Sequence, residues 1–220
     1  YSAKYREDLS LCLKKINIKM TMGHKVGIIG RTGAGKTSLA HLLARELKGM
    51  LVLEEFAENA FLPQFYENPA KYAFPLELSF LAARYHQLSQ VFANQENNII
   101  ISDYHFHKSH LFASVNLDPA EMGLYDSFYR IISHQIPDPQ LVVYLDKKVE
   151  RLQSNIKKRG RDYEAQIGDE YLNNISGRYD RFLESQNRSK ILRIDTNSID
   201  FVANADDLKT IVNAILPNIY

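Results

Sequence analysis

The run Gly30-Arg31-Thr32-Gly33-Ala34-Gly35-Lys36-Thr37 constrains this chain more than any other segment. It matches G-x-x-x-x-G-K-[ST], a loop whose glycines let backbone N–H groups turn inward around an anion. The lysine of such a loop, here Lys36, reaches the β- and γ-phosphates of a nucleotide, and the hydroxyl of Thr37 is placed to ligate Mg²⁺. The flanks agree with that role. Lys25-Val26-Gly27-Ile28-Ile29 predicts a buried strand entering the loop. Ser38 to Leu47 predicts a helix leaving it, with Leu39, Leu42, Leu43 and Leu47 on one face. The start of that helix adds partial positive charge where phosphates would lie. Gly30, Arg31, Thr32, Gly33, Ala34, Gly35, Lys36, Thr37 and Ser38 are therefore the candidate phosphate-binding residues.

Beyond the loop, short apolar runs alternate with helical patterns. Met50–Leu53, Asn98–Ser102, Leu141–Leu145 and Lys190–Ile194 predict four further strands. Pro75–Phe92, Pro119–Ile132, Val149–Lys158, Asp169–Glu184 and Ala205–Leu216 predict helices. The alternation implies an α/β fold of the P-loop NTPase type, with three layers and a five-stranded parallel sheet. Residues 1–24 differ. Leu11–Leu13 and Ile16–Met20 predict short strands, so 1–24 is expected to form an N-terminal β-arm ahead of a domain spanning 25–220.

The 220 residues suit a single core. A net charge of +1 gives no electrostatic case for a nucleic-acid partner. The single cysteine, Cys12, excludes an internal disulfide and fits a reducing compartment, hence an expected cytoplasmic location. No apolar run approaches a membrane span.

Ligands of parallel sheets sit at the carboxyl ends of the strands. Glu54, Glu55, Asp103 and Asp146 all fall there. One of the paired glutamates can accept a proton from an attacking hydroxyl. Asp103 is placed to hold a metal-bound water or that hydroxyl, or else to serve as a turn residue. Arg159-Gly160-Arg161 ends an amphipathic helix, as a closing lid or as a basic helix end facing the macrodipole.

From about residue 33 to about residue 213 the chain resembles the deoxynucleoside kinases, in particular bacterial relatives of deoxyadenosine, deoxyguanosine and deoxycytidine kinases. Glu55-Phe56-Ala57-Glu58-Asn59 resembles the segment whose glutamate is the base for the sugar 5′-hydroxyl. Phe65-Tyr66-Glu67-Asn68-Pro69 resembles the segment whose tyrosine touches the 3′-hydroxyl, and Phe74-Pro75-Leu76-Glu77-Leu78 the base-recognition helix. Arg159-Gly160-Arg161 with Glu164 resembles the lid, and Asp195-Thr196-Asn197 with Phe201 the loop near the ATP adenine. The resemblance implies transfer of the ATP γ-phosphate, with Mg²⁺, to the 5′-hydroxyl of a purine deoxynucleoside. It implies Glu55, Lys36, Arg159, Arg161 and Asp103 as catalytic residues, and Tyr66, Glu77, Arg84 and Glu164 as substrate-binding residues. Members are often dimers, which leaves room for a homodimer.

The chain departs from the family pattern at several points, and Arg31-Thr32 stands where asparagine and a hydrophobic residue are more usual. Asp103-Tyr104-His105 stands where Glu/Asp-Arg-Ser is usual, with Lys108 a candidate substitute for the missing arginine. Asn155 replaces an adenine-stacking arginine, and Glu77 replaces a glutamine. A carboxylate at position 77 can accept both adjacent donors of guanine, favouring deoxyguanosine over deoxyadenosine. A surface or salt-bridged glutamate is the plainer role.

Tyr1 to Leu39 resembles instead the start of an ABC transporter nucleotide-binding domain of the multidrug-resistance-protein type. The matching residues are Tyr5-Arg6-Glu7-Asp8-Leu9, Leu13-Lys14-Lys15-Ile16-Asn17-Ile18 and Gly23 to Lys36. In that family the tyrosine at position 5 stacks on the ATP adenine, so Tyr5 joins the candidate ATP-binding residues. No LSGGQ-like signature follows, which disfavours a transporter ATPase. The two resemblances meet inside Gly33-Ala34-Gly35-Lys36-Thr37. They imply a chimera of engineered origin, or a natural extension of accidental similarity. The rival to a working kinase is a folded chimera that binds nucleotide or phosphate with little or no catalysis.

Overall fold

The computed structural model describes residues 3–4, 11–13, 23–55, 59–93, 99–161, 164 and 167–219. Five parallel strands form one sheet: β3 (Lys25–Ile29), β4 (Met50–Val52), β5 (Ile100–Ser102), β6 (Leu141–Asp146) and β7 (Lys190–Asp195). Their order is β4-β5-β3-β6-β7, which puts the strand entering the glycine loop at the centre. Ahead of them, β1 (Ala3–Lys4) and β2 (Leu11–Leu13) pair antiparallel. Tyr5 and the strand expected at 16–20 lie outside the described residues.

The helices are α1 (Lys36–Leu47), α2 (Phe61–Glu67), α3 (Pro69–Ala93), α4 (Lys108–Asn116), α5 (Pro119–Ser133), α6 (Val149–Arg159), α7 (Asp169–Ser185) and α8 (Ala205–Ile215). The three-layer α/β fold is as the sequence implies. α5 shows why some boundaries are legible. The Asp118 carboxylate accepts from the N–H groups of Ala120 and Glu121, and Glu121 answers with a bond to the Asp118 N–H, ahead of Pro119. α2 and α4 have no side-chain cap, and α2 carries Pro63, so neither stands out in the sequence. α3 begins at Pro69, six residues before the expected Pro75, and continues through that proline.

Strand alternation assigns the layers. From β6, Leu141, Val143 and Leu145 join Leu39 and Leu43 of α1, Leu152 of α6, and Leu208 and Ile211 of α8. Val142 and Tyr144 point the other way, to Leu111 of α4 and Ile175 and Tyr179 of α7. Under α3 and α5, Leu81, Leu88 and Tyr125 pack on Val52 and Ile100. Each fully buried Leu or Ile side chain contributes about 1.5–3 kcal/mol.

The glycine loop is held from two sides. Asn155 of α6 donates to the Gly33 carbonyl at 2.8 Å, and the Tyr179 hydroxyl of α7 donates to the Gly30 carbonyl at 3.3 Å. Gly33 has φ +84°, and a Cβ there would lie 2.7 Å from the Leu152 carbonyl oxygen. Backbone conformation and space both demand glycine. Gly33→Ala is therefore expected to cost at least about 2 kcal/mol, roughly a 4–8 °C fall in Tm for a domain of this size. Thermal denaturation by circular dichroism checks this. A change below about 1 °C would show that the loop does not pack on α6 in this way.

Candidate active site

β4 and β5 end beside the glycine loop, so the residues that follow them arrive at its anion-facing side. The Thr37 hydroxyl, in the first turn of α1, donates to Asp103 Oδ2 at 2.6 Å. Asp103 Oδ1 accepts from the Glu54 backbone N–H at 2.8 Å. One carboxylate thus ties α1 to the ends of both strands. The Thr37 and Asp103 oxygens are adjacent hard donors, which fits Mg²⁺ held mostly by phosphate and water oxygens. Among the described residues, no cluster of three His, Cys, Asp or Glu side chains suits a metal ion.

Glu54 is the centre of the charge arrangement. Its Oε1 accepts from Arg84 Nε at 2.9 Å and Nη2 at 2.7 Å, and its Oε2 accepts from the Lys108 ammonium. Burial alone would raise its pKa, but Lys108 and Arg84 outweigh burial and bring it down to about 2. The remaining Arg84 nitrogen donates to the Ser109 hydroxyl at 2.8 Å, and its guanidinium lies 4.9 Å from the Phe80 ring centre.

Glu54, Arg84 and Lys108 line a cavity of about 140 Å³ together with Tyr66, Glu77, Asp103, Asn116, Glu164 and Tyr171. The sequence reading put Glu55 here. The side chain in the cavity is Glu54; Glu55 is exposed and accepts instead from Gln87 at 3.0 Å. Tyr104 and His105 also leave the cavity. The Tyr104 hydroxyl donates to Gln87, and His105 faces Asp138 at 3.5 Å. Lys108, in the first turn of α4, lines the cavity and pairs with Glu54.

A second cavity, of about 440 Å³, opens on the other side of the loop. Gly33 to Ser38, Lys147, Arg151 and the segment from Thr196 to Ala203 line it. Phe201 does not stand free there: it is buried, its ring seated against Gly35. Lys36, Thr37 and Arg159 line both cavities. The Lys36 ammonium donates to the Arg31 carbonyl at 3.1 Å. Burial first, then Lys108, lowers its pKa to about 8, against the opposing pull of Glu54 and Asp103.

Arg159 at the end of α6, Arg161 and Glu164 line the first cavity. Arg159 is paired in fork geometry with Glu164, and Arg161 reaches the same carboxylate at 3.3 Å. Glu164 is buried between them. Arg31 behaves differently from a phosphate ligand. It is buried, donates to the Lys147 carbonyl and lies 3.9 Å from Asp146. Tyr5 lies outside the described residues. Asn116, Phe112 and Tyr171 line the site without having been singled out, since no local motif marks them.

A family model described as deoxynucleoside kinase matches residues 26–219. The chain belongs to the deoxynucleoside kinase family. It is 31% identical over 192 residues to the deoxyguanosine kinase of Bacillus subtilis (strain 168), covering 84% of this chain and 93% of that protein. It is 33% identical over 177 residues to the deoxyadenosine kinase of Dictyostelium discoideum, covering 79% and 72%. A deoxyadenosine kinase from M. mycoides, solved with products dCMP and a flexible dCDP bound, matches with a TM-score of 0.75 at 27% identity. That match covers 87% of this chain and all of the other. A separate match covers 20% of the chain. It is 62% identical over 45 residues to the vacuolar heme ABC transmembrane exporter abc3 of Schizosaccharomyces pombe, 3% of that protein. Among the described residues, no helix of this family member is long and apolar enough to cross a membrane.

The Glu54 cluster sets an acid limit on stability. Its folded pKa lies below the ordinary 4.5, so its contribution is complete above 4.5 and is lost as pH falls toward about 2. Glu54→Gln strands two buried cations and is expected to cost about 3 kcal/mol at pH 7. Urea denaturation of both proteins across this range should show the gap narrowing as wild type protonates. A gap unchanged at pH 3 would refute the charge origin.

Proposed function

We propose that the protein transfers the γ-phosphate of ATP to the 5′-hydroxyl of a purine deoxynucleoside. The observation that carries this is the pair of cavities meeting at Lys36 and Arg159, with the Glu54 carboxylate, paired to Arg84 and Lys108, on the smaller side. ATP enters the larger cavity, with its phosphates along the glycine loop and its γ-phosphate at Lys36. The nucleoside enters the smaller one. Tyr66 and Glu164 hold the sugar, and Glu77 meets the base.

In the step itself a 5′-oxygen–phosphorus bond forms as the bond from the γ-phosphorus to the β,γ-bridging oxygen breaks, releasing ADP. The hydroxyl proton goes to Glu54. A carboxylate with a pKa of about 2 is a poor base, but the transferring phosphoryl group competes for Lys108 and Arg159. As Lys108 turns to the phosphoryl oxygens, the proton affinity of Glu54 rises. Arg159 and Arg161 then face the developing charge. Mg²⁺, at Thr37 and Asp103, would neutralise charge on the phosphates.

We further propose that 1–24 is a distinct arm grafted ahead of a kinase domain of 25–220, consistent with the 45-residue exporter match. In this arrangement Tyr5 and the loop from Asp195 to Phe201 compete for one adenine. The exposed stripe Leu124, Phe128 and Ile131 on α5 suits a homodimer contact. A cytoplasmic location fits the substrates. The rival, a chimera that binds without useful turnover, draws on Arg31, whose side chain anchors the loop to the end of β6.

A coupled ADP-release assay with ATP, Mg²⁺ and each deoxynucleoside tests the proposal. Glu54→Gln should lower kcat by about 10²–10⁴-fold, while Glu55→Gln should change it by less than about threefold. The reverse ranking would return the base to Glu55. Nucleotide binding with turnover no higher than Lys36→Ala would favour the rival.

A further inference from the structure

Among the described residues, Glu77 is the one titratable carboxyl group of the smaller cavity with no part in moving the phosphoryl group or holding the sugar. It lies on α3, is 2% exposed, and lines the cavity beside Arg84. Its Oε1 accepts from the Asn116 amide at 2.6 Å, while its Oε2 is buried with no hydrogen-bond partner. A buried carboxyl oxygen left unpaired is costly, and a ligand in the cavity is what would satisfy it.

Groups from every neighbouring element bear on its charge. Arg84 of α3 and Lys108 of α4 favour the carboxylate, as does the Asn116 bond; Glu54, after β4, opposes it. Tyr125 of α5 and Tyr171 of α7 feel its charge, and Tyr66 of α2 shares the cavity. Burial outweighs the two cations and lifts the pKa of Glu77 to about 7. At neutral pH both protonation states are populated.

The two states offer different patterns to a nucleobase. A carboxyl group gives one hydrogen and accepts another; a carboxylate accepts only. We propose that Glu77 selects the nucleobase by its own protonation: neutral, it donates to N1 and accepts from the 6-amino group of adenine; ionised, it accepts from N1–H and the 2-amino group of guanine. This rests on the deoxynucleoside kinase function proposed above, and replaces a fixed preference for deoxyguanosine with one that follows pH. A site whose buried polar groups match one edge rejects the other strongly, because the mismatch leaves them unpaired.

The test is the ratio of kcat/KM for deoxyguanosine to that for deoxyadenosine, measured on the whole chain between about pH 6 and pH 8. Titrations common to both reactions, including Lys36, Glu54 and the nucleotide phosphates, cancel in the ratio. Both purines stay neutral across the range. The ratio should rise about tenfold per pH unit, or about a hundredfold overall. In Glu77→Gln it should be flat and favour deoxyadenosine. Should that variant not fold, calorimetry of the wild type at pH 7 in two buffers of different ionisation enthalpy reads the same property. Deoxyadenosine binding should take up protons and deoxyguanosine binding should release them. A wild-type ratio that stays flat, a slope that persists in Glu77→Gln, or proton exchange of the same sign for both nucleosides overturns the protonation selector while leaving the kinase standing. Neither binding nor turnover of any nucleoside overturns both.

Discussion

A carboxylate taken out of water between two cations organises the smaller cavity of this molecule. Glu54 follows β4, Arg84 lies four turns from the start of α3, and Lys108 opens α4. No two of these elements are covalent neighbours, yet their charged ends converge in one cavity because each charge is worth burying only with the others. Asp103 extends the arrangement to Thr37 and so to the glycine loop. The glycine loop and the smaller cavity are therefore held in one hydrogen-bonded frame. That frame explains how a family member lacking arginine and serine after β5 still has a second cation at its carboxylate. Lys108 reaches Glu54 from the first turn of the next helix.

The glycine loop shows a parallel accommodation. Arg31 and Thr32 are unusual for the family, but the Arg31 side chain is turned away from the anion side. It donates to the Lys147 carbonyl and lies beside Asp146, which also pairs with Arg193. The Arg31 side chain is thus accommodated behind the loop, while the backbone keeps its glycine conformations at 33 and 35. Asn155, where the family often has an adenine-stacking arginine, is used to hold the Gly33 carbonyl. Substitutions that look like losses in the sequence are, in the fold, ties between α6, β6 and the loop.

The parts legible in the sequence were those whose signal is local. The phosphate loop, five apolar strands and the helix behind Asp118 each carry their cause within a few residues: glycines for positive φ, alternation for a buried strand, a capping box for a helix start. α2 and α4 escaped because neither has a cap and both are short, so their helicity comes from packing rather than propensity. Asn116, Phe112 and Tyr171 escaped because they reach the cavity from α4 and α7, far from any motif.

By itself, the sequence determined a nucleotide-type phosphate loop and a parallel three-layer fold around it, since glycine spacing and hydrophobic period are properties of the chain, and the likeness of several segments to known kinases pointed to the family. Only the tertiary structure decided which of Glu54 and Glu55 lines the cavity. Adjacent residues leaving a strand point in opposite directions, and which one meets Arg84 and Lys108 depends on how α3 and α4 cross the sheet. It also decided the state of Glu77. A glutamate reads as a charge in the sequence, but burial against Asn116 with one oxygen unpartnered brings its proton affinity into the neutral range. Desolvation is a property of the surroundings, and the surroundings exist only once the chain has folded.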